Sequence, residues 1–304
     1  MMIGNYPVTW LVTELLSIVA FVMCMFHALK QDNYKIKLFE LLMFIIGSAV
    51  FEHVGVLFTK TYSYDQNRIM MFGKIPLSTL MIEACIVYVA MIIFEYLDMP
   101  KWTSIWVVGF FSTFMDFSID PVYINDRYLL DGQMSGQWNW VHKYDPTFFG
   151  IPFMNFTGWI YMTGFYAALI YLFRWLAKKY NKKWLEIANP FLSGCLLIVP
   201  IMVFGYPLID GDDTCVGELS KLVFACVFAI VLMIVYRKRM KPIDVEKDKI
   251  VFIIPAMLQA YNIIVGFGMG IKLSYIPVTV CTIILAVYLG FLWYNGKKNL
   301  APAQ

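Results

Sequence analysis

Two acids, Asp116 and Asp120, stand four residues apart in "FMDFSIDPVYINDR" (114–127), at the end of a long apolar run that Pro121 is expected to close. The i, i+4 spacing puts both on one helix face. Two neighbouring carboxyls do not both ionise cheaply, and a desolvated surround works in the same direction, so one is expected to keep its proton at neutral pH. A proton held in that way is what a general acid needs. For Asp120 a purely structural role is the alternative, in which it caps the turn beside Pro121 and faces water. Asp116 lies a turn deeper, and acids inside an apolar span are costly and usually functional.

Further polar groups sit near the ends of other apolar runs. Glu52 and His53 are neighbours in "FEHVGV" (51–56). Adjacent residues on a helix point about 100° apart, so one of the two faces a common site, and Glu52 is favoured. His53 is kept as a second polar contact, with interfacial snorkelling as its alternative. Glu83 lies roughly 10 Å inside its segment by helical rise, where it needs a hydrogen-bond partner or a proton. Asn155 follows Pro152 at the start of another run and is expected to face a site. Tyr62, Tyr64, Trp138, Trp140, Tyr144 and Trp159 gather on the same side. They form either an interfacial aromatic belt or the lining of a pocket for a polyene or a carbocation, whose charge ring faces stabilise.

The elements that carry these residues are membrane spans. The chain has 304 residues, of which 60% are hydrophobic and 15% charged. Soluble domains carry about 25% charged residues, and the mean hydropathy here is +0.67. Reading for runs of roughly 20 apolar residues gives nine spans: 10–29, 38–58, 76–97, 102–122, 150–173, 188–208, 217–236, 250–271 and 275–295. The expected fold is therefore an all-α polytopic bundle, a single membrane domain over 1–304. Eight spans are the alternative, the fourth and ninth being the weakest.

Most of the 24 Lys and Arg fall in connections on one side of this map, among them Arg174, Lys178, Lys179, Lys182, Lys183, Arg237, Lys238, Arg239 and Lys241. By the positive-inside rule the N-terminus is outside and the C-terminus inside. The chemistry-bearing residues then collect at the outer ends of spans two to five, beside the connection 123–149.

Several function classes drop out. No clustered basic face on a polar domain marks a nucleic-acid partner. Of the six Cys, all but Cys215 lie in apolar runs, in neither a disulfide framework nor a CxxC metal site. Three His (His27, His53, His142) are too few for a His-rich di-iron desaturase. No P-loop, GxGxxG, GxSxG or HExxH occurs, and the ninth span lacks a mid-membrane Lys for a retinal Schiff base. "DGDD" (210–213) copies the DxDD string of alkene-protonating terpene cyclases, but only as four letters in an acidic loop. "NFT" (155–157) matches a glycosylation sequon inside a membrane segment and is discounted. No basic cluster precedes the first run, so a cleaved signal peptide is not expected. The two halves show no symmetry of the transporter kind.

Taken in order, "EHVGV", "YSYD", "GKIPL" and "DFSIDPV…GQWNW…FFGIPFMNFTGW" resemble the membrane carotenoid-biosynthesis family, which includes carotenoid 1,2-hydratases and bisanhydrobacterioruberin hydratase. The similarity is densest over 52–160. Its motif residues carry over onto Glu52, Gly55, Tyr62, Tyr64, Pro76, Asp120, Pro121, Trp138, Trp140, Gly150, Pro152, Asn155, Gly158 and Trp159. The sequence departs from the family pattern in three places. "TKTYSYD" replaces a Gly-rich lead, "YINDRYLLDGQMS" (123–135) is an insertion, and Glu83 stands where a bulky apolar residue is expected.

The resemblance implies cofactor-independent addition of water to the terminal double bond of an acyclic carotenoid or related polyprenoid, giving a tertiary alcohol. No metal is expected. The partners implied are the polyene itself, membrane lipids and other carotenoid-pathway enzymes, in a prokaryotic cell membrane. The expected roles are Asp116 or Asp120 as acid, Glu52 as the group that takes a proton from water, and the aromatic residues, Asn155, His53 and Glu83 as substrate contacts. The alternative is a non-enzymatic polyprenoid-binding protein or a partner subunit of a prenyltransferase.

Overall fold

The computed structural model describes residues 2–4, 6–141, 147–205 and 215–300, with the side chains of 204–205, 215–216 and 297–300 left aside. Tyr144, His142 and the "DGDD" string lie outside the described residues. Among the described residues, nine helices are long and apolar enough to cross a membrane. Their α-helical parts are α1 (Val8–Leu29), α2 (Tyr34–His53), α3 (Leu77–Leu97), α4 (Ser104–Tyr123), α5 (Phe153–Lys179), α6 (Lys183–Leu196), α7 (Cys215–Tyr236), α8 (Ile250–Gly268) and α9 (Tyr275–Leu300). α2 runs on as a π-helical stretch, Val54–Thr59, and α6 runs on through Ile198–Pro200 into a second one, Ile201–Gly205.

Several boundaries differ from the sequence expectation, α5 for instance running to Lys179 rather than 173, and two of them have a local physical cause. Pro121 does not end α4, which carries it internally and continues to Tyr123. A proline removes one backbone donor and crowds the turn before it, but the helix resumes past it, with the Ile124 N–H donating to the Asp120 carbonyl at 3.1 Å. α6 begins at Lys183, ahead of the expected 188. Lys183 and Glu186 are polar residues that the membrane boundary accommodates.

The bundle is arranged around α3. Apolar over most of its surface despite polar residues such as Ser78, Thr79 and Glu83, α3 is buried along nearly its whole length, as expected of a helix with no solvent-facing stripe. α1, α2, α4 and α8 pack against it, and α4 pairs most extensively with α5. In lipid such pairings rely on close packing rather than hydrophobic drive, so small residues matter at the crossings. Gly109 and Gly164 occupy the α4–α5 crossing, where a Cβ would fall 2.6 Å and 2.0 Å from the carbonyl oxygens of Ile160 and Ile105.

One end of the bundle carries short antiparallel pairs that form a cap: β1 (Met2–Ile3) with β2 (Tyr6–Pro7), β3 (Tyr62–Tyr64) with β8 (Trp138–Trp140), β4 (Met71–Phe72) with β5 (Ile75–Pro76), and β6 (Tyr128–Leu130) with β7 (Gln133–Ser135). The insertion 123–135 thus includes a hairpin. Its two-residue turn, Asp131–Gly132, has positive φ at both positions, the type I′ geometry that Asp-Gly favours. Arg68 pins the cap to α1. It lies over the Trp10 ring, 4.5 Å from the centroid. Its guanidinium is 3.6 Å from Glu14 and donates to the Gln137 carbonyl at 2.8 Å. The opposite end is tied by other ions: Arg174 pairs with Glu40 and Glu95, Lys37 with Glu95, and His27 with Asp248.

Candidate active site

α4 presents Asp116 and Asp120 one turn apart, only 1% and 3% exposed. Asp120 therefore does not face water as a cap residue. Its position is buried, opposite the first turn of α5. There Asn155 donates its side-chain amide to both carboxyls, at 2.9 Å to Asp116 Oδ2 and 2.6 Å to Asp120 Oδ2. Pro152 is the residue that fixes this entry. It sits at the N-cap of α5 in an extended conformation, and its carbonyl accepts from the Asn155 backbone N–H.

Glu52, in the last turn of α2, is buried beside the pair. Its Oε2 accepts from the hydroxyls of both Tyr62 and Tyr64, each at 2.7 Å. Side chains two apart on a strand share a face, so Tyr-x-Tyr on β3 aims both hydroxyls at one carboxyl. The register pairs Tyr62 with Trp140 and Tyr64 with Trp138. The tyrosine and tryptophan rings meet with centroids 5.3 Å and 6.0 Å apart, within the range of favourable aromatic contacts. The stretches "YSY" and "WNW" are thus the two strands of one aromatic ladder. Burial, with the Glu52 carboxyl beside them, holds both tyrosine hydroxyls well above their ordinary pKa, so they remain donors. Gly55 makes room for the ladder, since a Cβ there would sit 2.6 Å from the Tyr62 hydroxyl.

Glu83 reaches the same cavity from α3 and accepts a hydrogen bond from the Ser48 hydroxyl of α2. The cavity, about 40 Å³, is lined by Glu52, Glu83, Asp116, Asp120, Tyr62, Tyr64, Trp138, Trp140, Asn155 and Trp159. Among the described residues, its lining contains four carboxyls and no Lys, Arg or His. Hydrogen bonds from tyrosine, asparagine and serine serve in place of counter-ions. A second, larger opening of about 840 Å³ shares Glu52, Tyr62, Trp140, Asn155 and Trp159 with it.

Among the described site candidates from sequence, His53 is the one placed elsewhere. Its Nδ1–H donates to the Ala49 carbonyl at 2.6 Å, and its Nε2 accepts from the Lys74 backbone N–H at 3.3 Å. The ring packs under the β4–β5 turn, where Gly73 has φ 63° and a Cβ would lie 2.4 Å from Nε2. His53 supports the hairpin that leads into α3 and does not line the cavity. Conversely, Thr13 and Ser17 of α1, Tyr123 and Gln137 also line it. The i, i+4 spacing of Thr13 and Ser17 inside an apolar run was the available signal. Gln137 stands between the glycine and first tryptophan of "GQWNW", and its side chain donates to Thr13 Oγ1 at 3.3 Å.

The fold and the site define a polytopic membrane protein with a buried cluster of carboxyls behind an aromatic cap. Compared with known families, residues 12–208 match the model of the carotenoid biosynthesis protein family. The chain belongs to that family, and the match reaches beyond 52–160 on both sides. The family gives it a role in carotenoid biosynthesis, with a carotenoid lipid as substrate. Neither a curated protein nor a solved structure matches the chain.

Proposed function

We propose that the protein hydrates the terminal C=C of an acyclic carotenoid or related polyprenoid end group, giving a tertiary alcohol. The observation that carries this reading is the convergence of Asp116, Asp120 and Asn155 with Glu52 and its two tyrosines in one desolvated, aromatic-walled cavity. Alkene hydration needs an acid at the less substituted carbon, a stabilised tertiary cation and one positioned water. The Asp116–Asp120 pair can share a proton and deliver it to the alkene. The π electrons form the new C–H bond, and the positive charge appears on the tertiary carbon. The faces of Trp138, Trp140 and Trp159 favour that charge, as does the carboxylate that the aspartate pair becomes on giving up its proton. Water then adds to the cation, and Glu52 takes the proton that leaves. Return of that proton to the aspartate pair closes the cycle without a redox or metal step.

The Lys and Arg distribution supports an orientation with the cap outside, N-terminus out and C-terminus in. At that boundary the polyene rests in lipid while its end group meets water.

The test is incubation of the purified protein with a lycopene-type polyene. The expected product is heavier by one water and carries the oxygen of labelled water. A bound polyene recovered unmodified, with no product, favours a carrier or a partner subunit instead. If the reaction is seen, the double variant Tyr62→Phe/Tyr64→Phe is expected to lower kcat by about tenfold or more, because the buried Glu52 loses both donors. Steady-state kinetics in detergent check this.

A further inference from the structure

The acid cavity is far too small for a polyene, so the tail must leave it, and two apolar routes are open. One is the groove of about 840 Å³ on the α2, α5 and α6 side. The other is an internal cavity of about 150 Å³ among α3, α4, α8 and α9, which touches the acid cavity at Ile86. We infer that the tail runs through the groove, so that the end group enters sideways from the bilayer between α2 and α6. This rests on the polyene-hydration reading above.

Four observations carry it. The groove shares five lining residues with the acid cavity, among them Asn155 and Glu52, whereas the internal cavity shares Ile86 alone. α2 and α6 touch where Gly47 faces Gly194: a Cβ on Gly47 would lie 3.0 Å from the Gly194 carbonyl oxygen, and one on Gly194 would lie 2.5 Å from that of Met43. One turn further toward the cap, the groove begins at Phe51 and Ile198, so the glycine crossing is its floor. From there both helices continue as π-helical turns, with Phe58 78% and Met202 46% exposed at the mouth. Such side chains at the rim of an apolar slot suit contact with lipid. The third wall is α5, whose Asn155, Gly158, Trp159 and Met162 follow helical spacing. That stripe leads from the carboxyls to the apolar floor over roughly 10 Å.

The experiment compares equilibrium binding of a full-length acyclic carotenoid, read by its visible absorption, with that of a short acyclic prenyl compound bearing the same end group, read by displacement. Met162→Trp and Met202→Trp narrow the groove, and Leu258→Trp fills the internal cavity. The groove variants are expected to reduce the long-to-short affinity ratio by about tenfold, and Leu258→Trp is expected to leave it unchanged. Met162→Ala and Met202→Ala, which widen the slot, guard against misfolding as the cause and are expected to keep the ratio or raise it. A fall in the ratio with Leu258→Trp alone, or no change with any variant, overturns the inference. The readout needs no turnover. A failure to hydrate therefore counts against the catalytic reading, and an unchanged ratio counts against the route.

Discussion

Asp116→Asn and Asp120→Asn are each expected to lower hydration of a lycopene-type substrate by a factor of about a hundred or more, the range that a positioned general acid supplies. Asparagine keeps the size and one acceptor oxygen of the carboxyl, so the bridge to Asn155 has a partner in either variant. What each variant removes is a proton-holding oxygen. Since Asn155 ties the two carboxyls together at 2.9 Å and 2.6 Å, they act as one unit, and the double variant is expected to be little worse than the poorer single one. A two-step additive loss would instead mean separate roles. The measurement is initial rate of hydroxylated product, with polyene retention followed in parallel to show that the site still binds. If both single variants turn over at the wild-type rate, the acid lies elsewhere, and Glu83 is the next carboxyl in the cavity to substitute.

The spans and the side of the bundle that carries the chemistry were legible because both depend on local properties. Apolar run length sets the helices. Acids inside them stand out because burying a carboxyl is costly. Helix geometry allows one of Glu52 and His53 to face a common site, snorkelling suits His better than Glu, and the two side chains do point to different surroundings. His53 was retained as a contact because sequence does not show that the β4–β5 turn lies against it. The Tyr-x-Tyr to Trp-x-Trp ladder was not legible either. It pairs residues more than seventy positions apart, and register between short strands is fixed by three-dimensional packing rather than by local pattern. Its two halves were visible as motifs, but not that they meet. In sequence Arg68 is one more charge in a connection, since nothing in its own segment shows that Trp10 and Glu14 of the first span meet it. Pro121 misled in the opposite direction. It reads as a helix end, although a proline removes a single backbone hydrogen bond and the chain past it can resume the helix, as Ile124 does by donating to the Asp120 carbonyl. Asp120 thereby gained the alternative of a solvated cap that its burial does not support.

Gly164→Ala is expected to do more structural damage than any surface change, and the reason lies in how the site is held. α4 supplies both aspartates and α5 supplies the asparagine that joins them, so the hydrogen-bonded triad is only as precise as the separation of these helices. At Gly164 a Cβ would stand 2.0 Å from the Ile105 carbonyl oxygen. That neighbour is backbone and cannot swing aside, so the helices must part. Overpacking of this kind costs about 2–3 kcal/mol. A shift near 1 Å also takes hydrogen bonds of 2.6–2.9 Å beyond useful length. The expected result is a lowered unfolding midpoint in detergent together with a loss of turnover larger than the loss of folded protein explains. Gly158→Ala, on the same helix, is the matched control. There the nearest atom to a new Cβ is Phe51 Cζ at 3.7 Å, an ordinary contact, and stability is expected to change by no more than about 0.5 kcal/mol. Equal stability of the two variants would show that the α4–α5 crossing is not what sets the geometry of the carboxyls.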